Sequence, residues 1–150
     1  QAVKKLTAYD IDEIFINNNI NNQKNKKYYI NFLKHDILKE PTKIQFQSGY
    51  ALDVLEHIPP NKNNIFFENI LKSLKDNPSF IIGMPSIESQ KYASKESLEG
   101  HVNCLSGVEL KSLCLKFFQN VFIFSMNDEV LHTGFFPMSN YIFALCIGKK

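Results

Sequence analysis

Asp53, Glu56 and His57 stand within five residues of one another in the stretch YALDVLEHIPP, residues 50–60. Two carboxylates and an imidazole just past an apolar run can accept hydrogen bonds, move protons or ligate a metal ion. Ionisable groups are costly to bury unless paired or used, so the cluster is either a working site or an exposed turn. Further on, His101 and Asn103 offer a base and an orienting amide within the polar segment 86–105. A histidine there suits proton removal near neutral pH, and a loop-capping histidine has the same sequence signature. Asn127, Asp128, Glu129 and His132 form another polar group between two apolar runs, explained equally by a solvated hairpin or a substrate rim. Tyr92 and Phe135 are aromatic candidates for a pocket wall or for packing.

Two more acids share the setting of Asp53. Asp10 ends the apolar run LTAYD, and Asp36 follows KYYINFLKH. One acid at a strand end is most simply a cap or turn residue. Three in consecutive strand–helix units set three carboxylates along one edge of a sheet, where ligands bind in open α/β folds.

The elements that would position them alternate. Apolar runs at 6–10, about 28–33, about 46–55 and in SFIIGMPS (79–86) read as strands. EIFINNNINN reads as a brief helix dissolving into an Asn- and Lys-rich loop around 17–27, and QAVKK as the tail of a helix. Residues 60–77 carry a near-3.6 repeat at Ile65, Phe66, Asn69, Ile70 and Leu74, stopped by Asp76-Asn77-Pro78. GVELKSLCLKFF (107–118) reads as another helix, and NVFIFSMND and NYIFALCIGK as two final strands that pair antiparallel. The alternation predicts an α/β domain over 1–150, a mostly parallel sheet covered on both faces, with an antiparallel C-terminal strand pair.

Composition narrows the function. The 150 residues are 44% hydrophobic and 21% charged with a net charge of +2, as for a soluble globular chain. Every basic residue besides histidine is Lys, so the bidentate clamp that Arg offers phosphate or guanine is absent, and nucleic acid is disfavoured. Cys104, Cys114 and Cys146 are scattered without metal-type spacing, which makes a reducing cytoplasm the simplest setting. No apolar stretch approaches the roughly 18 residues that span a bilayer.

TAYDID, LKHDIL, YALDVLEHI and FIIGMPS, in that order and spacing, resemble successive motifs of class I S-adenosylmethionine-dependent methyltransferases. The resemblance covers nearly the whole chain and implies a Rossmann-like three-layer αβα sandwich. It implies that Asp10 accepts hydrogen bonds from the cofactor's ribose hydroxyls and that Ile11 packs on the adenine. Asp36 would receive the adenine amino group with Ile37 alongside, and Asp53 and Val54 would line the pocket near the transferable methyl. A carboxylate suits vicinal hydroxyls, and an acceptor suits an exocyclic amine. His101 and His57 are the candidate catalytic bases. Acid-x-x-Glu-His also resembles the magnesium motif of some ubiquinone-pathway and small-RNA O-methyltransferases; many methyltransferases carry LEHI without a metal, and no metal ligand set is assigned.

The family holds the methionine end of its cofactor in a glycine-rich loop after its first strand, and none of the six glycines here forms one. The expectation is that this strand and loop lie upstream of Gln1. The expected activity is methyl transfer to an O, N or C nucleophile of a small molecule or glycan. The competing readings are a catalytically inactive methyltransferase-like scaffold, and a nicotinamide-dependent oxidoreductase that leaves Asp36 and LDVLEHI unexplained. Oligomeric state is not readable.

Overall fold

The computed structural model describes residues 3, 5–23, 30–127, 130–132 and 136–150. β1 (Leu6–Asp10) and β2 (Ile30–Lys34) form a parallel pair in register from Leu6↔Ile30 to Asp10↔Lys34, with α1 (Glu13–Asn22) between them in sequence. Asp12 caps α1, its carboxylate accepting from the N–H of Ile14 at 2.8 Å and of Phe15 at 3.3 Å. The helix continues through the Asn-rich run that the sequence suggests is loop. Two side chains hold it there: Asn19 Nδ2 donates to Phe15 O, and Gln23 exchanges two hydrogen bonds with the backbone of Ile30. Residues 24–29 of the expected loop, and Gln1, Ala2 and Lys4 of the expected helix tail, lie outside the described residues.

The main sheet has the order β3-β4-β7-β5-β6, built from β3 (Phe46–Leu52), β4 (Leu74–Pro85), β5 (Phe118–Asn127), β6 (Val130–His132) and β7 (Tyr141–Lys149). It is mixed, which corrects the expectation of a mostly parallel sheet. β3 and β4 pair parallel, whereas β4–β7, β7–β5 and β5–β6 pair antiparallel. The physical reason is insertion. β3, β4 and β5 run in one direction, but β7 returns from β5 and slots between β5 and β4, replacing a parallel pairing with two antiparallel ones. The antiparallel C-terminal pair is as expected.

Helices α2 (Asn63–Ser73) and α4 (Gly107–Cys114) supply the core with β4, β5 and β7. Phe66, Phe67, Ile70, Leu110 and Cys114 are buried with Phe80, Ile82 and Met84 of β4, Val121 of β5, and Ala144 and Cys146 of β7. The opposite face carries Tyr50, Ile81 and Phe122 in register across the sheet through Leu145, and they are 59%, 40% and 50% exposed. Among the described residues the main sheet is thus covered on one face, not on the two that a three-layer sandwich requires.

Two helices stop earlier than their sequence period suggests, each because the next residues gain more from the sheet. α2 ends at Ser73, and Leu74 pairs with Phe46 before the register jumps to Ser48↔Ser79. The residues between form a bulge with Asn77 at φ 50° ahead of buried Pro78, so Asp76-Asn77-Pro78 shapes the strand rather than ending the helix. α4 ends at Cys114, after which Phe117 stacks on Phe67 at 4.7 Å and Phe118 lies parallel to Phe80 at 6.3 Å. The segment expected as one long connection folds as a 3-10 helix over Ile87–Tyr92 followed by α3 (Lys95–Gly100). The three cysteines are free. No helix among the described residues is long and apolar enough to cross a membrane.

Phe67→Ala should cost about 3–5 kcal/mol in a denaturant titration, since it removes a fully buried ring stacked on Phe117. The start of α4 should be pH-sensitive. Ser106 donates from both its N–H and its hydroxyl to the Glu109 carboxylate, which holds that carboxyl below its ordinary pKa. This stabilisation is complete above the unfolded pKa and is lost as pH falls through the depressed folded value. Ser106→Ala should therefore cost about 1 kcal/mol in urea at pH 7 and less at pH 3.

Candidate functional site

The main-sheet site is built outward from the end of β3. After Leu52 the chain turns through Asp53 in the left-handed region at φ 54°, with its N–H bonded to Gly83 O at 3.0 Å. Asp tolerates that conformation better than branched residues do. Leu55–His57 then forms a 3-10 turn closed by His57 N–H to Val54 O and Ile58 N–H to Leu55 O, both 3.1 Å. Leu55 and Ile58 are buried anchors. The turn rolls Glu56 inward to 1% exposure, while Asp53, Val54 and His57 remain exposed.

A clamp brings the segment after β4 onto this turn. Glu56 O accepts from the N–H of Val102 at 2.8 Å and of Asn103 at 3.0 Å. Buried Asn103 donates through Nδ2 to Leu55 O at 3.2 Å and to Asn63 Oδ1 at 2.9 Å. The clamp sets His101 against His57, ring centroids 5.2 Å apart. His57 Nδ1 lies 2.9 Å from Gly100 O, which can only accept, so Nδ1 is the protonated nitrogen. His101 Nδ1 lies 2.9 Å from Gln90 Oε1, and the amide orientation follows because Gln90 Nε2 donates to Ser86 O. Each imidazole in its neutral form therefore keeps an Nε2 lone pair.

Charges here are strongly coupled to burial. Burial is the main cause of the raised pKa of Glu56, and its Oε2 is buried without a hydrogen-bond partner among the described residues. Cys104 is pushed up to about 11 by burial and then by the Glu56 charge, so it is no nucleophile near neutral pH. Tyr141 opens β7 opposite Pro85, and burial, followed by the nearby Asp53 carboxylate, raises its pKa. Tyr141, Gln90 and Ser86 do not stand out in the sequence. Tyr141 could have been found from topology, because a reversed strand beside β4 must begin at the edge where β4 ends.

Asp10 and Asp36 form a second group, at the end of the small sheet. Asp10 Oδ1 accepts from Asp12 N at 2.8 Å, and Asp36 Oδ1 from Leu38 N at 3.0 Å. Ile11 is 62% exposed, and Ile37 packs partly buried against the core. The predicted residues thus gather in two places: Asp10, Ile11, Asp36 and Ile37 beside β1 and β2, and Asp53, Val54, His57 and His101 beside β3. Asn127 is structural, its side chain bridging Met138 O and Asn140 N. Asp128, Glu129, Phe135 and the side chain of His132 lie outside the described residues. Tyr92 lines a cavity of about 250 Å³ with Glu88, Pro137, Met138 and Asn140.

No protein-family model and no curated protein matches the chain. Solved structures do match. PH0226 protein from Pyrococcus horikoshii OT3 gives a TM-score of 0.72 at 17% identity, over 97% of this chain and 72% of that one. N-methyltransferase NodS from Bradyrhizobium japonicum WM9, in complex with S-adenosyl-L-homocysteine, gives 0.66 at 16% identity over 97% and 67%. A chain of the complex between the Haloferax volcanii Trm112 methyltransferase activator and the putative methyltransferase gives 0.74 at 10% identity over 100% and 74%. The fold is therefore that of the class I S-adenosylmethionine-dependent methyltransferases.

Asn103→Ala should destabilise the protein by about 1–3 kcal/mol, because it strips the partner from buried Leu55 O. It should also separate the His101 and His57 imidazole resonances' mutual ring-current shifts, measurable by NMR, while Asn103→Asp should retain part of the contact.

Proposed function

We propose that this chain is the greater part of an S-adenosylmethionine-dependent methyltransferase domain acting on a small molecule or glycan. The observation that carries the reading is the set of acids at or just beyond the carboxyl ends of three successive strands, Asp10, Asp36 and Asp53, in a fold matched to methyltransferases over nearly the whole chain. The free oxygen of Asp10 takes the ribose hydroxyls, and exposed Ile11 lies under the adenine. Asp36 receives the adenine amino group beside Ile37. Asp53 and Val54 border the methionine end.

The first strand and glycine loop come from upstream of Gln1. Among the described residues β1 pairs with β2 and β3 with β4, so one edge of β1 and one of β3 stand open for a strand. The neighbours' greater length allows for it, since the chain covers 67–75% of the two NodS structures.

In the reaction a lone pair on the acceptor attacks the methyl carbon, and the carbon–sulfur bond breaks with its electrons left on sulfur. The sulfonium becomes a neutral thioether, and the acceptor's proton leaves to a base or to water. Alignment of donor and acceptor supplies several kcal/mol. His101 and His57 handle the acceptor, each with an Nε2 lone pair. The lack of Arg favours small or sugar acceptors over nucleic acid.

Calorimetric titration of S-adenosylmethionine into this chain and into its upstream-extended product tests the reading. Binding to the longer protein is expected, weakened at least tenfold by Asp10→Ala or Asp36→Ala. Absence of binding to both proteins, each shown to be folded, would overturn it and leave a scaffold on a methyltransferase fold.

A further inference from the structure

We propose that Glu56, His57 and His101 bind one divalent first-row transition-metal ion through one carboxylate oxygen and two imidazole nitrogens. One ligand atom from each of the three residues lies within 4.8 Å of the others. A cation about 2.1 Å from each would hold them roughly 3–3.4 Å apart, so a contraction on the order of 1 Å closes the site.

Three independent features fit an ion there. Glu56 Oε2 is a buried carboxylate oxygen with no hydrogen-bond partner among the described residues, an arrangement that is costly unless the charge is neutralised or the oxygen coordinated. Both histidines have Nδ1 committed to an oxygen acceptor, which fixes the tautomer with Nε2 free, as in metal-bound histidines oriented by a second partner. The clamp from Glu56 O to Val102 and Asn103 holds the ligands from two distant segments together without the ion.

The ligand set differs from the Asp-x-x-Glu-His resemblance to a magnesium motif. Asp53 is exposed and stands outside the three-residue group, whose third ligand is His101, from beyond α3. Two imidazoles with one carboxylate suit zinc, cobalt, iron or manganese, whereas magnesium seeks oxygen ligands and retains its water. Three protein ligands leave one or more positions open. If the methyltransferase reading holds, an acceptor hydroxyl fits that position; with both Nε2 lone pairs on the ion, the cation takes over from the histidines and would lower the hydroxyl's pKa before it receives the methyl.

The test uses the full protein after treatment with a chelator. Cobalt(II) is followed by its visible absorption and zinc(II) by calorimetry, both without S-adenosylmethionine. One ion per chain is expected, with affinity reduced at least tenfold in each of His57→Ala, His101→Ala and the isosteric Glu56→Gln. Circular dichroism checks that the variants fold, and Gln90→Ala should weaken binding less than loss of His101. Magnesium in thousandfold excess should leave the cobalt spectrum unchanged. No binding to the folded protein, wild-type affinity in both histidine variants, or displacement by magnesium would each overturn the proposal. Cobalt binding with no cofactor binding would remove the methyltransferase reading and keep the metal site; cofactor binding with no cobalt binding would do the reverse.

Discussion

One backbone oxygen organises the polar cluster beside β3. Glu56 O takes two N–H groups from the far segment, Val102 and Asn103, within a turn whose side chains Leu55 and Ile58 are buried. A carbonyl with two lone pairs, buried at a strand end, must be satisfied, and here the partners are local neither in sequence nor in secondary structure. Satisfying it carries His101 to His57 and pulls Gln90 behind His101. The geometry of the histidine pair is thus a by-product of backbone accounting. The polar side chains converge because the main chain has nowhere else to bond.

The same economy shapes the sheet. β7 enters between β4 and β5, so its first residue, Tyr141, arrives at the edge where β4 finishes. Gly83 makes room for this. A Cβ there would stand 2.7 Å from Leu52, 2.8 Å from Tyr141 and 2.9 Å from Phe143. Without a side chain at that point, Tyr141 packs beside Leu52 and Phe143, and the Asp53 carboxylate helps to keep its phenol protonated. The left-handed turn at Asp53 and the missing side chain at Gly83 are joined by the Asp53 N–H to Gly83 O bond. Backbone strain of this kind is held only where neighbours over-determine it.

Strand existence and order of the chain were legible because alternating buried runs separated by polar segments carry a strong period. Boundaries were less so. Leu74 fits the helical repeat of α2 and also fits the sheet opposite Phe46, and only the tertiary pairing chooses. The Asn-rich end of α1 reads as loop by propensity, yet the paired hydrogen bonds of Gln23 with Ile30 hold it. The parallel character was overread because direction and pairing are different properties: β3, β4 and β5 run the same way, but β7 intervenes. The cluster Asp53, Glu56 and His57 announced itself by spacing. Its completion by His101 did not, since a contact across such a sequence gap depends on the clamp and leaves no periodic trace.

The two halves of the site therefore differ in how sequence encodes them. The group beside β1 and β2 depends on acids at strand ends, each a few residues from the strand that places it, so a short motif carries both residue and position. The group beside β3 depends on Glu56, whose buried Oε2 lacks a hydrogen-bond partner among the described residues. A buried carboxylate left so must either hold a proton or meet a cation. Either state would give a molecule bound there a different partner: a neutral hydrogen-bond donor in the first, a fixed positive charge with open coordination positions in the second. Burial of this one side chain, together with the two histidines beside it, sets what the cluster can bind.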